Sequence, residues 1–138
     1  MTKPIRAWHF IAGDKLRDGT KAPPDGAWLG YGGPLVLCES GLHASLQPFD
    51  ALQYAPGSIV CRVEYGGEVV EDTDKGCSTE RTVVWMVDAT RTLHEFACWC
   101  AEGALNRVEA NGGVVDPRSR AAIAVKRRWL DGSATDKE

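Results

Sequence analysis

The chain has 138 residues, of which 43% are hydrophobic and 25% are charged, and its formal net charge is −3. This composition suits one globular domain, or a domain with an appendage, and the negative charge argues against broad electrostatic binding to nucleic acid. No apolar run reaches the length of a membrane span, so we expect no membrane association. Five cysteines without a secretory signal indicate a reducing compartment, and we therefore expect a cytoplasmic protein.

The beginning of the chain is predicted to consist of strands joined by loops. Residues 5–11 have the composition of a strand, whereas the glycines and prolines of residues 19–34 favour a loop with one short strand near Trp28. The apolar residues 35–38 predict a further compact strand. A short helix is expected over residues 48–54, with Ser45 as its cap and a proline in its first turn.

The middle of the chain contains the clearest strand signal. Residues 58–65 alternate between apolar and charged side chains, which is the period of a half-buried strand. Gly66-Gly67 predicts a turn after it, so that residues 68–71 pair back. A polar loop is then expected over residues 72–79, followed by a last strand over residues 82–87.

Two helices are predicted to follow the strands. The first is expected from about residue 88 to 109, with an apolar stripe that includes Ala97 and Cys100. The second begins with Asp116 as N-cap and ends at Gly132. The predicted fold class is thus α+β: an antiparallel-rich sheet with one short helix over residues 1–87, and a C-terminal helical hairpin over residues 88–138, packed on the sheet domain.

Residues 38–45 are the most suggestive stretch for a binding or catalytic site. They place His43 and Ser45 where the predicted strand gives way to a turn, and side chains at such positions are held rigidly while still reaching solvent. A structural role for His43 remains the alternative. The cysteine and histidine spacing does not match a metal site, and the basic residues near position 127 are interpreted as the solvated face of a helix, so neither metal nor nucleic acid is expected as a ligand.

The first part of the chain resembles a family of uncharacterised domains found in phages, prophages and mobile elements. The resemblance covers roughly residues 5–87 and lies in three patterns. They are Trp8-His9-Phe10; residues 37–45 with residues 50–54 behind them; and residues 60–64 followed by Gly67-Glu68-Val69 and Asp74-Lys75. This family carries no established activity, so the resemblance implies a genomic setting and no particular chemistry.

Residues 92–131 resemble the first helical pair of an immunity-protein-like domain. The resemblance lies in residues 97–102 and 116–123, followed by Trp129 and Gly132. More helices follow in that family, so the resemblance implies that only a remnant of the helical domain is present here.

The family setting and the acidic first part favour a small accessory protein that binds a host or phage protein. Such a protein would act without a cofactor, and it could counteract a defence system such as CRISPR. Its acidic side chains could meet a basic partner. The candidate partner-binding residues are Glu68, Glu71, Asp72 and Asp74.

The alternative is an enzyme that binds NAD, because the order of elements resembles small ADP-ribosyltransferase-like folds. The resemblance implies that His9 on the first strand and His43 or Ser45 on the next would bind NAD. Tyr54 ends the predicted helix close to the His43 turn in the chain, so it could line the same pocket, and packing in the core is the alternative. A glutamate would then stabilise the positive charge that develops as nicotinamide leaves. Glu64, Glu68 and Glu71 remain open for that role.

Overall fold

The computed structural model describes residues 3–13 and 26–137, and the chain divides into two compact units, Met1–Ala89 and Thr90–Glu138. The first unit contains five strands and one short helix, and the second contains two helices, which is the predicted α+β class. In chain order the elements are β1 (Ile5–Ile11), β2 (Trp28–Gly30), β3 (Leu42–Ala44), α1 (Pro48–Gln53), β4 (Ile59–Glu71), β5 (Gly76–Asp88), α2 (Thr90–Ala110) and α3 (Pro117–Asp131).

The five strands form one antiparallel sheet in the order β1-β4-β5-β2, with β3 pairing to β5 beside β2. The prediction of a turn at Gly66-Gly67 was wrong. β4 runs on to Glu71 through a register shift between Gly66 and Val69, and the chain reverses only between Glu71 and Gly76. The glycines therefore allow an irregularity inside a long strand, not a hairpin turn.

The alternation of residues 58–65 is confirmed and places the core on one face of the sheet. Cys61, Val63 and Tyr65 are buried, whereas Arg62 and Glu64 between them point to the opposite face. The core cluster is completed by residues from the neighbouring strands: Ala7, Ile11, Ala44 and Val83.

The predicted strand over residues 35–38 is instead a tight turn. Ser40 donates its backbone N–H to the carbonyl of Val36 at 2.8 Å, and the strand, β3, begins only at Leu42. His43 therefore lies within a strand and not after one. The predicted cap was also wrong, because Gln47 precedes α1 and Ser45 is buried in backbone pairing.

The sheet curls so that β3 reaches back to β1. Beyond β3, Ser45 exchanges two backbone hydrogen bonds with Trp8, at 2.7 and 2.9 Å. The buried Tyr65 hydroxyl on β4 donates to the carbonyl of Ala44 at 2.7 Å. Since β1 and β5 flank β4 on opposite sides, these bonds draw the segment from Leu42 to Ser45 over the core face.

In the second unit, both predicted ends of α3 are confirmed. The Asp116 side chain accepts from the backbone N–H of Arg118 at 2.9 Å, and Gly132 closes α3 in a left-handed conformation. The predicted stripe on α2 is displaced: Cys98 is its buried residue, while Ala97 and Cys100 are exposed. The reason is that α3 contacts the neighbouring side of α2, through paired bonds from Arg127 to Glu102 at 2.9 and 3.0 Å.

Candidate functional site

A cleft of about 530 Å³ opens in the first unit where β3 and the turn before it cross the core face. It is formed by β1, the segment 38–45, α1 and the start of β5. We refer to it as the cleft. The lining residues that carry chemistry are His9, Cys38, His43, Ser45, Tyr54, Lys75 and Arg81.

Arg81 is the most unusual residue of the cleft. It lies on β5 opposite Tyr65, on the core face, and its side chain is only 4% exposed. Its Nη1 donates to the carbonyl oxygen of His43 at 2.5 Å, but its Nε has no hydrogen-bond partner among the described residues. Burial lowers the pKa of the Arg81 guanidinium, although an arginine remains charged in proteins. The inner wall therefore carries a buried cation that is short of acceptors.

His43 holds the turn before β3 with both ring nitrogens. Its Nε2 accepts the backbone N–H of Cys38 at 2.9 Å, and its Nδ1 lies 3.1 Å from the carbonyl oxygen of Gly41. Because a carbonyl only accepts, Nδ1 must carry the proton, and a ring that also accepts at Nε2 is neutral. This arrangement makes His43 a positioning residue of the turn and leaves neither ring nitrogen open to a ligand.

A polar chain runs along the rim of the cleft at the end of α1. The Tyr54 hydroxyl donates to Asp74 at 2.5 Å, and this hydrogen bond is the main cause of the raised pKa of Tyr54. The Lys75 ammonium lies 3.5 Å from the same hydroxyl and 4.9 Å from the Tyr54 ring centre. The β4–β5 turn, which carries Asp74 and Lys75, is thereby fixed against α1.

Four of the predicted site residues meet in the cleft. His9 reaches it from β1, His43 and Ser45 from β3 and its end, and Tyr54 from the end of α1. Ser45 is only 2% exposed, since its backbone pairs with Trp8. These four residues, which the prediction of an NAD site had grouped, therefore lie together in the structure.

The predicted glutamates lie elsewhere. Glu64 pairs with Arg6 across β4 and β1, and its carboxylate accepts from the Arg6 guanidinium at 3.0 Å on the face opposite the core. His9 on β1 pairs with Cys61, which lies three residues before Glu64 on β4. His9 is therefore on the core face of the sheet, whereas Glu64 is on the opposite face. Glu68 and Glu71 lie beyond the register shift, exposed and outside the cleft lining.

Three residues of the cleft were missed from the sequence: Cys38, Lys75 and Arg81. Arg81 fell between a predicted loop and a predicted strand. The signal that could have found it is the alternation of Cys77, Thr79, Arg81 and Val83, which places an arginine on an apolar strand face. Cys38 and Lys75 had no comparable signal, because only the pairing of β3 with β5 brings their two turns together.

The described residues contain no group of three or more histidine, cysteine or acidic side chains placed to hold a metal ion. Within the same ranges, neither α2 nor any other helix is long and apolar enough to cross a membrane. The five cysteines form no disulfide, and Cys61, Cys77 and Cys98 are buried.

The fold and the cleft define an α+β domain built on a curled antiparallel sheet with a concave site. The profile of a domain of unknown function (DUF7666) matches residues 22–95, which is more than half of the chain. The chain therefore belongs to this family. No curated protein and no solved structure matched the chain.

Proposed function

We propose that the protein binds a small anionic molecule in the cleft, and that a phosphate-bearing ligand with a planar ring, such as NAD, is the first candidate. The observation that carries this proposal is the buried guanidinium of Arg81, whose Nε has no hydrogen-bond partner within residues 3–13 and 26–137. A buried charged donor without an acceptor is costly. A ligand anion at this wall would satisfy the guanidinium.

The shape and lining of the cleft support a ligand of nucleotide size. Its volume of about 530 Å³ falls within the range usual for small-molecule sites. Tyr31 and Tyr54 offer aromatic surface against which a planar ring could pack, and Lys75 adds a second cation at the rim. Among the described lining residues, two side chains are cationic, Lys75 and Arg81, and one is acidic, Glu39.

Ligand binding is better supported than ADP-ribosyl transfer. That reaction would need a carboxylate beside the nicotinamide, and the three glutamates predicted for that role, Glu64, Glu68 and Glu71, all lie outside the cleft lining. The carboxylate that does line the cleft, Glu39, is exposed in the turn before β3. His43 is engaged by backbone groups through both ring nitrogens. The proposal therefore assigns His9, Ser45 and Tyr54 to the walls of a binding site, with Arg81 as the anion anchor.

The test is titration calorimetry and thermal shift with NAD, ADP-ribose and inorganic phosphate, with uncharged adenosine for comparison. A ligand that binds only the folded state must raise its melting temperature. Arg81→Met should weaken binding of the anionic ligands by at least about tenfold, since charge-assisted hydrogen bonds are lost. Arg62→Met is the matched control, because Arg62 is a half-buried arginine on the opposite face, 4.4 Å from the Trp8 ring.

Binding that is equal in wild type and Arg81→Met would contradict the anchor. Absence of any shift at millimolar NAD, ADP-ribose and phosphate would overturn the proposal. Adenosine binding as tight as that of ADP-ribose would show that the cleft recognises the ring without the anion.

A second candidate is a partner-binding role in a phage or mobile element, with a protein of a host defence system among the partners. It is favoured by the outer part of β4 and the turn after it, where Glu68, Glu71 and Asp72 are exposed and belong to none of the ion pairs of the described residues. Asp74 is less available to a partner because it accepts from Tyr54.

Affinity capture from a bacterial host lysate tests this second candidate. The wild type is compared with the triple variant Glu68→Gln, Glu71→Gln, Asp72→Asn. A stoichiometric host or phage protein that is captured by the wild type and lost in the variant would support it. Equal capture by both proteins would contradict the acidic surface as the binding site.

A further inference from the structure

Cys38 occupies an unusual position at the mouth of the cleft. It lies in the turn between Val36 and Ser40 with φ +69°, and it is the one residue other than glycine with a positive φ among the described residues. Its backbone N–H is held by the His43 ring at 2.9 Å, so the turn is fixed. Its side chain is exposed and lines the cleft. The thiol is therefore presented to whatever enters.

Two cations and one carboxylate share the cleft lining with this thiol: Lys75, Arg81 and Glu39. Cys38 and Lys75 both line the cleft, and the Cys38 sulfur is the largest cause of the raised pKa of the Lys75 ammonium. The buried Arg81 guanidinium lines the inner wall of the same cleft. An anion attracted by these two cations would be concentrated beside the sulfur.

We propose that Cys38 is a covalent attachment site for anionic electrophiles, small molecules that carry a carboxylate or phosphate next to an electrophilic carbon. This inference rests on the proposed anion binding in the cleft. In the reaction the sulfur attacks the carbon as a thiolate and a sulfur–carbon bond forms. The bond to the leaving group breaks, and the leaving group departs with the electron pair. The thiol proton goes to solvent.

The chain contains its own reference thiol. Cys61, Cys77 and Cys98 are buried, and burial raises the pKa of Cys77 further. Cys100 is exposed on α2, in the other unit and outside the cleft. A reagent added to the folded full-length protein is therefore compared at Cys38 and Cys100 in the same tube.

Iodoacetate and iodoacetamide are the matched probes, because they differ only in the charge of the group beside the reactive carbon. Alkylation rates at the two cysteines are measured by peptide mass spectrometry. The ratio of the iodoacetate rate to the iodoacetamide rate should be at least about threefold higher at Cys38 than at Cys100, since the local field favours the anion. In Lys75→Gln and in Arg81→Met the Cys38 ratio should fall towards that of Cys100.

Each outcome has a consequence. A Cys38 ratio equal to that of Cys100 overturns the inference, as does a high ratio that survives in both variants. Lys75 is half-buried at the rim of the cleft, so the Lys75→Gln change keeps the test valid should Arg81→Met fail to fold. If an anionic ligand shifts the melting temperature but Cys38 shows no preference for iodoacetate, only the attachment site at Cys38 is contradicted. If neither the thermal shift nor the iodoacetate preference is observed, the anion site in the cleft is contradicted as well.

Discussion

At the scale of single residues, His43 shows how a side chain that is typical of active sites can serve to hold a turn. Its two ring nitrogens contact backbone groups of Cys38 and Gly41, five and two residues earlier in the chain. These bonds hold the turn in which Cys38 adopts its left-handed conformation. The His43 carbonyl also accepts from Arg81, so one residue orients both the rim and the inner wall of the cleft.

His43→Phe, which keeps a ring but removes both nitrogens, should lower the free energy of unfolding by about 1–3 kcal/mol, because a backbone N–H and a carbonyl lose their partner. The measurement is urea denaturation followed by circular dichroism. His94→Phe is the matched control, since His94 packs edge-on against the Trp129 ring in the other unit. A His43→Phe variant as stable as the wild type would show that the turn does not depend on the ring.

At the scale of elements, β4 shows that paired glycines do not always mark a turn. Gly67 has φ +62°, and a Cβ there would collide with the Thr79 hydroxyl across the β4–β5 pair. Gly66 has no positive φ, and a Cβ there would meet the carboxylate of Glu80 at 2.9 Å. The Thr79 hydroxyl opposite Gly67 is held in place because it accepts from the backbone N–H of Glu68. The Glu80 carboxylate opposite Gly66 is the end of a flexible side chain.

Gly67→Ala should therefore destabilise the sheet by about 1–2 kcal/mol from the left-handed conformation alone, with the clash adding to this cost. Gly66→Ala at the neighbouring position should cost clearly less, because Glu80 can move aside. Chemical denaturation of the two variants side by side gives the comparison. Equal losses in the two variants would contradict the role assigned to Gly67 in the irregularity of β4.

At the scale of the whole sheet unit, three contacts draw the segment from Leu42 to Ser45 over the core. They are the backbone pairing of Ser45 with Trp8, the bond from Arg81 to His43 and the bond from Tyr65 to Ala44. Each joins residues far apart in the chain. The cleft exists because these contacts curl the sheet, and its stability should depend on them.

The contribution of Tyr65 to the stability of the sheet unit should depend on pH. Burial raises the pKa of the Tyr65 phenol above its ordinary value of 10.0. Above pH 10 the unfolded chain therefore releases a proton that the folded protein keeps, so the free energy of unfolding contributed by Tyr65 falls as pH rises. Tyr65→Phe should be less stable at pH 7 by about 1 kcal/mol, because the Ala44 carbonyl loses its donor.

The stability difference between wild type and Tyr65→Phe should narrow between pH 9 and pH 11. Urea denaturation across this range provides the measurement. Two curves that stay parallel over the same interval would show that Tyr65 does not remain protonated in the folded state.

Local patterns in the sequence were sufficient to predict most of the elements. The alternation of residues 58–65 identified β4, and Asp116 and Gly132 marked the ends of α3, because strand period and helix caps depend on neighbours within a few residues. The same local reasoning failed at residues 35–38 and at Gly67, where an apolar run and a glycine pair each fit two structures. The pairing partner decided between them.

Residue patterns along the chain were enough for the α+β class, for the succession of a strand-rich part and two helices, and for the acidic balance of the chain. Only the tertiary structure decided which side chains share a site. It separated Glu64 from His9 by the alternation of sheet faces, and it brought Cys38, Lys75 and Arg81 into one cleft through the pairing of β3 with β5. The physical reason is that periodicity and capping are local, whereas strand register and sheet curl join residues that are distant along the chain.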